Sequence, residues 1–167
     1  MDYIIADQVL IPPEDEKYYI EKIIRMPHAA QPIDDRLEKS DKKFSRSNLG
    51  IDEDSFVFCC FSTSKKIRRQ DFTLWMDLLC KIENSCLWLL ESNEMPKDYI
   101  IKEAENMGVE SKKIIFSRKI PLIDHMSRQL CADLMLDTIN YSSGVMTFLA
   151  LKSGLPVLTS PGKTYSS

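Results

Sequence analysis

The 167-residue sequence predicts an α/β fold, a parallel sheet with helices on both faces. Three observations carry this. From residue 56 onward, short apolar runs alternate with segments of helical periodicity. The runs are continuously apolar, as strands are when both faces are covered. The composition, 44% hydrophobic and 28% charged, suits a globular chain with a real core and excludes a disordered one.

The strands are expected at 56–61 (FVFCCF), 86–91 (CLWLLE), 113–117 (KIIFS), 133–137 (DLMLD) and 156–159 (PVLT). Helices fill the gaps. Phe72, Trp75, Leu79 and Ile82 share one face by 3-4-3 spacing. Ile100, Ala104 and Met107 repeat this on 97–107, with Gly108 suited to the left-handed position after a helix. Pro121 suits a first helical position, with Ile123, Met126 and Leu130 facing inward. Ser142 or Ser143 can cap a helix that runs to Lys152 and stops at Gly154. Upstream, 2–6 is expected to be a strand and 14–24 a helix, with a short extended piece near 23–26. This lone unit has no sheet of its own to join. Residues 27–50 are polar, carry Pro27 and Pro32, and suit a linker.

Several function classes are disfavoured. A net charge of −3, with no polybasic patch, gives no drive toward nucleic acid. No segment approaches the about 20 apolar residues of a membrane span, and the first residues lack a secretory signal. The five cysteines are odd in number and contain no C-x-x-C pair. They suit buried free thiols in a reducing cytoplasm better than structural zinc. No nucleophile–base triad and no Walker lysine motif is present.

In open parallel sheets ligands bind outside the carboxyl ends of the strands. That rule selects Ser62-Thr63-Ser64-Lys65-Lys66, Ser92-Asn93, Arg118-Lys119 with His125 beyond it, and Thr138 through Gly144 opening a helix. Helix-terminal amides at Ser143 and Gly144, with positive charge from Lys65, Lys66, Arg118 and His125, would suit a diphosphate. Plainer readings stand beside this one. Lys66 can be solvated surface, His125 a satisfied structural histidine, and Ser142-Ser143-Gly144 an ordinary cap. Asp133 and Asp137 need not be catalytic, and Trp75 and Trp88 suit the core.

The segments "MDYIIADQVLIPPEDEKYYIEKIIRMPH", "FVFCCFSTSKKI", "SCLWLLES", "IIFSRKIPLIDH", "LCADLMLDT" and "SGLPVLTSPGKTYSS" occur in this order. Together they resemble the catalytic region of O-GlcNAc transferases, protein glycosyltransferases of the GT-B fold that often carry tetratricopeptide repeats. The resemblance implies that 1–26 is the tail of a first lobe and 27–50 a linker. Residues 51–167 would be a Rossmann-like nucleotide-sugar-binding lobe, truncated at its C-terminus. It implies a UDP-sugar donor, usually UDP-GlcNAc, transfer to Ser or Thr hydroxyls of a protein acceptor, and no metal or other cofactor.

Residue by residue, Lys66 stands where the family's lysine contacts the diphosphate and supports departure of UDP. Thr63 replaces a glutamine that contacts the nucleotide. His125 matches a nucleotide-site histidine, and Ile120 the residue whose backbone meets uracil. Ser143 and Gly144 would offer backbone groups to phosphate. There are departures. Gly144, Val145 and Met146 stand where the family has His-Thr-Thr, Leu149 where it has a ribose-binding aspartate, and Leu122 where it has a lysine. Because the family's first-lobe histidine and acceptor-side residues would precede Met1, the resemblance also implies a piece of such an enzyme, with little turnover expected alone. The rival expectation is a non-catalytic remnant that binds nucleotide weakly or serves as an interaction module.

Overall fold

The computed structural model describes residues 1–32, 34–91 and 96–162, in two compact units, Met1–Leu37 and Glu38–Gly162. In the smaller unit, β1 (Tyr3–Ala6) pairs in parallel with β2 (Lys22–Arg25), Ile4 opposite Ile23. The link between them contains a 3-10 helix, Pro13–Tyr18. Asp7 closes the turn after β1. Its carboxylate accepts the amides of Val9, Leu10 and Ala30 at 2.8, 2.9 and 2.7 Å, and the Leu10 and Ala30 bonds foremost hold its pKa down. The Arg25 guanidinium donates to the Ile11 carbonyl at 2.7 Å and pairs with Glu16.

Two expectations are corrected here. The helix expected at 14–24 stops as 3-10 turns at Tyr18, and the β-branched Ile23 and Ile24 extend into a strand. The opening unit also does not lack a sheet, because its two strands pair with each other.

The larger unit follows the expected alternation. The elements are β3 (Phe56–Cys60), α1 (Arg69–Lys81), β4 (Ser85–Leu90), α2 (Lys97–Asn106), β5 (Ile114–Ser117), α3 (Leu122–Arg128), β6 (Leu134–Leu136), α4 (Gly144–Ser153) and β7 (Val157–Leu158). The strands form one parallel sheet in the order β5-β4-β3-β6-β7. Every strand end lies within one residue of the sequence expectation. Gly108 and Gly154 follow α2 and α4 with φ of +83° and +95°, the left-handed conformation that stops a helix without a Cβ clash.

The two-residue period of the strands divides the core into two layers. Phe58, Cys60, Leu87, Leu89 and Leu136 meet Trp75, Met76, Leu79, Ile100 and Ala104, from α1 and α2. Val57, Cys59, Phe61, Cys86, Trp88 and Met135 point the other way and meet Cys131, Ala150 and Leu155. This is the Rossmann-like α/β architecture the sequence predicts. Four of the five thiols are buried in it and all five are free. Burial pushes the Cys60 and Cys86 pKa values up to about 11, which keeps both protonated and inert.

Arg46 staples the amino ends of the central strands. Its guanidinium donates to both Asp133 carboxylate oxygens at 2.8 Å and to the carbonyls of Glu53, Ser55 and Cys131 at 2.8–3.0 Å. Asp133 in turn accepts the Val57 amide at 2.7 Å.

Helix α3 departs from its expected pattern. Pro121 is the residue before its first turn, not in it. Met126 is buried, but Ile123 and Leu130 are each 45% exposed, and Ile82 past α1 is 38% exposed. The inward face of α3 and the turn after it is polar instead. Asp124 accepts from Lys42 at 2.6 Å, the Ser127 hydroxyl donates to the Ser40 carbonyl at 2.6 Å, and Gln129 donates to the Leu149 carbonyl at 2.9 Å. Satisfied polar groups tolerate burial, so the apolar period there loses its meaning. Among the described residues, no helix is long and apolar enough to cross a membrane.

Leu87 is fully buried in the layer facing α1 and α2. Leu87→Ala is expected to lower unfolding free energy by about 2–5 kcal/mol, read from the urea midpoint at unchanged slope. A loss below about 1 kcal/mol would show that this layer is not close-packed.

Candidate functional site

The strand order reverses between β3 and β6, so the connections leaving these neighbours run to opposite sides and open a crevice at their carboxyl ends. The residues after β3 (Ser62–Lys66) and after β6 (Thr138–Ser143) line it. The β6–α4 loop is held from beneath by two buried carboxylates. One Asp137 oxygen accepts the amides of Thr138 and Ser143, both at 2.9 Å, and the other accepts the Thr159 hydroxyl at 2.9 Å. Asp71, in the first turn of α1, accepts the Arg68 amide at 2.9 Å and, across the crevice, the Ile139 amide at 3.0 Å. The Thr138 hydroxyl donates to the Tyr141 carbonyl at 2.7 Å, and the Ser62 and Ser143 hydroxyls bond to each other. The loop backbone is thus fixed by groups that do not face solvent.

Lys66 ends a 3-10 turn, Ser64–Lys66. Its ammonium donates to the Ser142 carbonyl at 3.1 Å and sits 4.0 Å from the centre of the Tyr141 ring. Helix α4 begins two residues beyond Ser142. Its hydrogen bonding starts at the Thr147 amide, which donates to the Ser143 carbonyl at 2.7 Å. The amides of Gly144, Val145 and Met146 therefore precede the ladder and carry the positive end of the helix dipole. A fixed ammonium and a helix N-terminus on one crevice make a site suited to an anion.

His125 lies on the other flank of β3. Its ring packs edge-on to Phe61 at 4.6 Å, and Phe61 packs edge-on to Trp88 at 5.0 Å. The Trp88 indole N–H donates to the Ser117 hydroxyl at 2.7 Å, and the Arg128 guanidinium lies 5.6 Å from the Trp88 ring. Burial first, and the Arg128 charge second, lower the His125 pKa to about 4. The ring is neutral at pH 7. Arg128 Nη2 lies 3.1 Å from His125 Nδ1. A guanidinium only donates, so Nδ1 must accept and the proton resides on Nε2. That Nε2–H is buried and has no partner among the described residues. His125 therefore presents a donor and not a base.

Arg128 is itself buried, donates to the Arg118 carbonyl at 2.9 Å and meets no carboxylate among the described residues.

The site residues anticipated from sequence are distributed as follows. Lys66, Ser143 and Gly144 come together at the crevice, and His125 joins them through Phe61, which immediately precedes Ser62. Thr63 is exposed on the same loop, and Ile120 is half-buried between β5 and α3. One expectation is corrected: His125 adds no positive charge at neutral pH. Arg118 turns to Glu91, 3.4 Å away. Ser143 precedes α4 as anticipated but makes no side-chain cap, because its hydroxyl is taken by Ser62. Ser92 and Asn93 lie outside the described residues.

Sequence reasoning missed Asp71 and Arg128, and it included Tyr141 only as part of the Thr138–Gly144 loop. Asp71 had a local signal, an acid at the third position of a helix, where carboxylates hold free amides. Arg128 stands three residues after His125 on a helix, close enough to touch it. Asp133 and Asp137 are structural. Trp75 and Trp88 are core residues.

The fold has counterparts among known proteins. The family model "Glycosyl transferase family 41" matches residues 34–167. The chain is 29% identical over 166 residues to the probable UDP-N-acetylglucosamine–peptide N-acetylglucosaminyltransferase SEC of Arabidopsis thaliana, covering 96% of this chain and 17% of that protein. It is 28% identical over 123 residues to the UDP-N-acetylglucosamine–peptide N-acetylglucosaminyltransferase of Caenorhabditis elegans, covering 74% and 11%. Among solved structures it superposes on a mutant O-GlcNAc transferase of Thermobaculum terrenum with a TM-score of 0.80 and 25% identity, covering 99% of this chain and 31% of that one. The chain thus spans less than a fifth of the length of these two curated relatives.

The buried neutral His125 has a consequence for acid stability. Its folded pKa is depressed, so the unfolded chain takes up a proton first as pH falls. Stability attributable to His125 is complete above about pH 6.5 and is lost between there and pH 4, about 3 kcal/mol in all. Denaturant titrations of the wild type and His125→Gln across this range are expected to differ in slope. ¹⁵N NMR at pH 7 is expected to show the Nε2–H tautomer; a ring titrating near 6.5 would refute the assignment.

Proposed function

Since the chain belongs to glycosyl transferase family 41, we propose that it supplies the donor-binding part of an O-GlcNAc-transferase-type enzyme. It would bind a UDP-sugar, UDP-GlcNAc foremost, for transfer to Ser or Thr hydroxyls of a protein in the cytoplasm. The observation that carries this reading is the Lys66 ammonium fixed at the switch point beside the free amides of α4. Breaking the sugar–phosphate bond leaves negative charge on the departing UDP. A positive group already in place stabilises that charge without reorganising. Lys66 takes that role, and the amides of Gly144 and its neighbours hold phosphate oxygens. His125 positions the nucleotide, with Thr63, the Ile120 backbone and Ser143 lining its path. Residues 1–26 contribute the closing piece of the first lobe.

A second reading has its own support. Gly144, Val145 and Met146 bring no side-chain hydroxyl or imidazole to the phosphates. Leu149 is only 3% exposed, so it contributes no polar group to a ribose. A non-catalytic remnant with weak nucleotide binding fits these residues.

Calorimetric titration with UDP separates the two. The wild-type chain is expected to bind UDP, and Lys66→Ala to bind it about 10- to 100-fold more weakly, as the loss of one charge-assisted hydrogen bond predicts. A folded chain that does not bind UDP, or binds equally well without Lys66, would overturn the donor-site reading.

A further inference from the structure

We infer that Tyr141 is a positioning residue for Lys66, aiming its ammonium at the phosphate-binding end of α4; this rests on the UDP-binding reading above. The ammonium lies 4.0 Å from the Tyr141 ring centre and 3.1 Å from the carbonyl oxygen of the next residue, Ser142. Two consecutive loop residues therefore hold one charge. The ring quadrupole attracts a cation to its face, and the carbonyl fixes its direction.

Tyr141 is itself held firmly. Its carbonyl accepts the Thr138 hydroxyl at 2.7 Å, and the loop on either side is bound through Ile139 to Asp71 and through Ser143 to Asp137. Its ring is half exposed, so the crevice side remains accessible to a ligand. The role matters because of what surrounds it. A lysine on a free stem spreads its charge over many rotamers, and ordering that stem opposes binding. With Gly144, Val145 and Met146 opening α4, the diphosphate must rely on Lys66 and backbone amides. Prior placement of Lys66 then contributes directly to affinity.

A ring that merely packs on the surface would affect every ligand alike, whereas one that places the ammonium affects only the phosphates. The 167-residue chain and its Tyr141→Phe and Tyr141→Leu variants are titrated with UDP and with uridine. Tyr141→Leu is expected to weaken UDP about three- to tenfold and leave uridine unchanged, with Tyr141→Phe close to wild type. In a Lys66→Ala background the Leu substitution should have no further effect. Equal losses for both ligands, or no loss for UDP, would overturn the role.

In the free chain, NMR of the Lys66 ε-methylene protons reads the contact itself. An upfield ring-current shift present in wild type and Phe but absent in Leu is expected, and a shift insensitive to Tyr141 would contradict the geometry. If the wild type binds neither ligand, the donor-site reading falls and the ligand role of Tyr141 with it. If UDP binds and Tyr141→Leu is silent, only the role of Tyr141 falls.

Discussion

The whole of the larger unit depends on β3 being covered on both faces. Its neighbours β4 and β6 take up its backbone groups, and its side chains alternate between the two layers of core. A strand in that position cannot host a ligand along its length. It can do so only where it ends, and it ends where the strand order reverses. The site is therefore a consequence of topology before it is a consequence of chemistry. Ser62 and Lys66 emerge there because β3 runs out, and the β6–α4 loop meets them because β6 is its neighbour.

The chemistry then turns on which charges are fixed and which are silenced. Asp71 and Asp137 place two carboxylates beneath the β6–α4 loop, an arrangement that would disfavour an anion there if they faced it. They are instead occupied by backbone amides and a hydroxyl. His125 is neutralised by burial and by Arg128, and so contributes direction without charge. Lys66 at the crevice is held by the loop through Tyr141 and Ser142. On the proposed reading this division of labour suits a nucleotide diphosphate, which needs fixed donors more than it needs net charge.

The sheet was legible in the sequence and much of the site was not, for one reason. Runs such as FVFCCF and CLWLL declare themselves because burial on both faces removes polar residues from them. Gly108 and Gly154 declare helix ends because few other residues take their φ. What stayed hidden depends on partners distant in the chain. Asp124 and Ser127 of α3 are satisfied by Lys42 and Ser40, more than 80 residues earlier. Strand β2 exists because Tyr3–Ala6 offers it an edge. Asp71 reaches the crevice only because the fold brings Ile139 to it across 68 positions. Lys66 and His125 were visible through resemblance, yet neither the tautomer of His125 nor the aromatic contact of Lys66 is written in local pattern.

Arg46 ties the sheet at its amino ends, and the layers of core lie along its length, while the crevice occupies the opposite rim. The loop backbone at that rim is held by Asp71 and Asp137, not by the residues that open α4. Gly144 and Val145 are exposed and thus nearly uncoupled from folding, whereas Met146 packs against the core. Such a molecule can shed or exchange recognition groups over generations and keep its shape. On the proposed reading, drift at Gly144 and Val145 would change what the crevice selects without disturbing the scaffold that presents them.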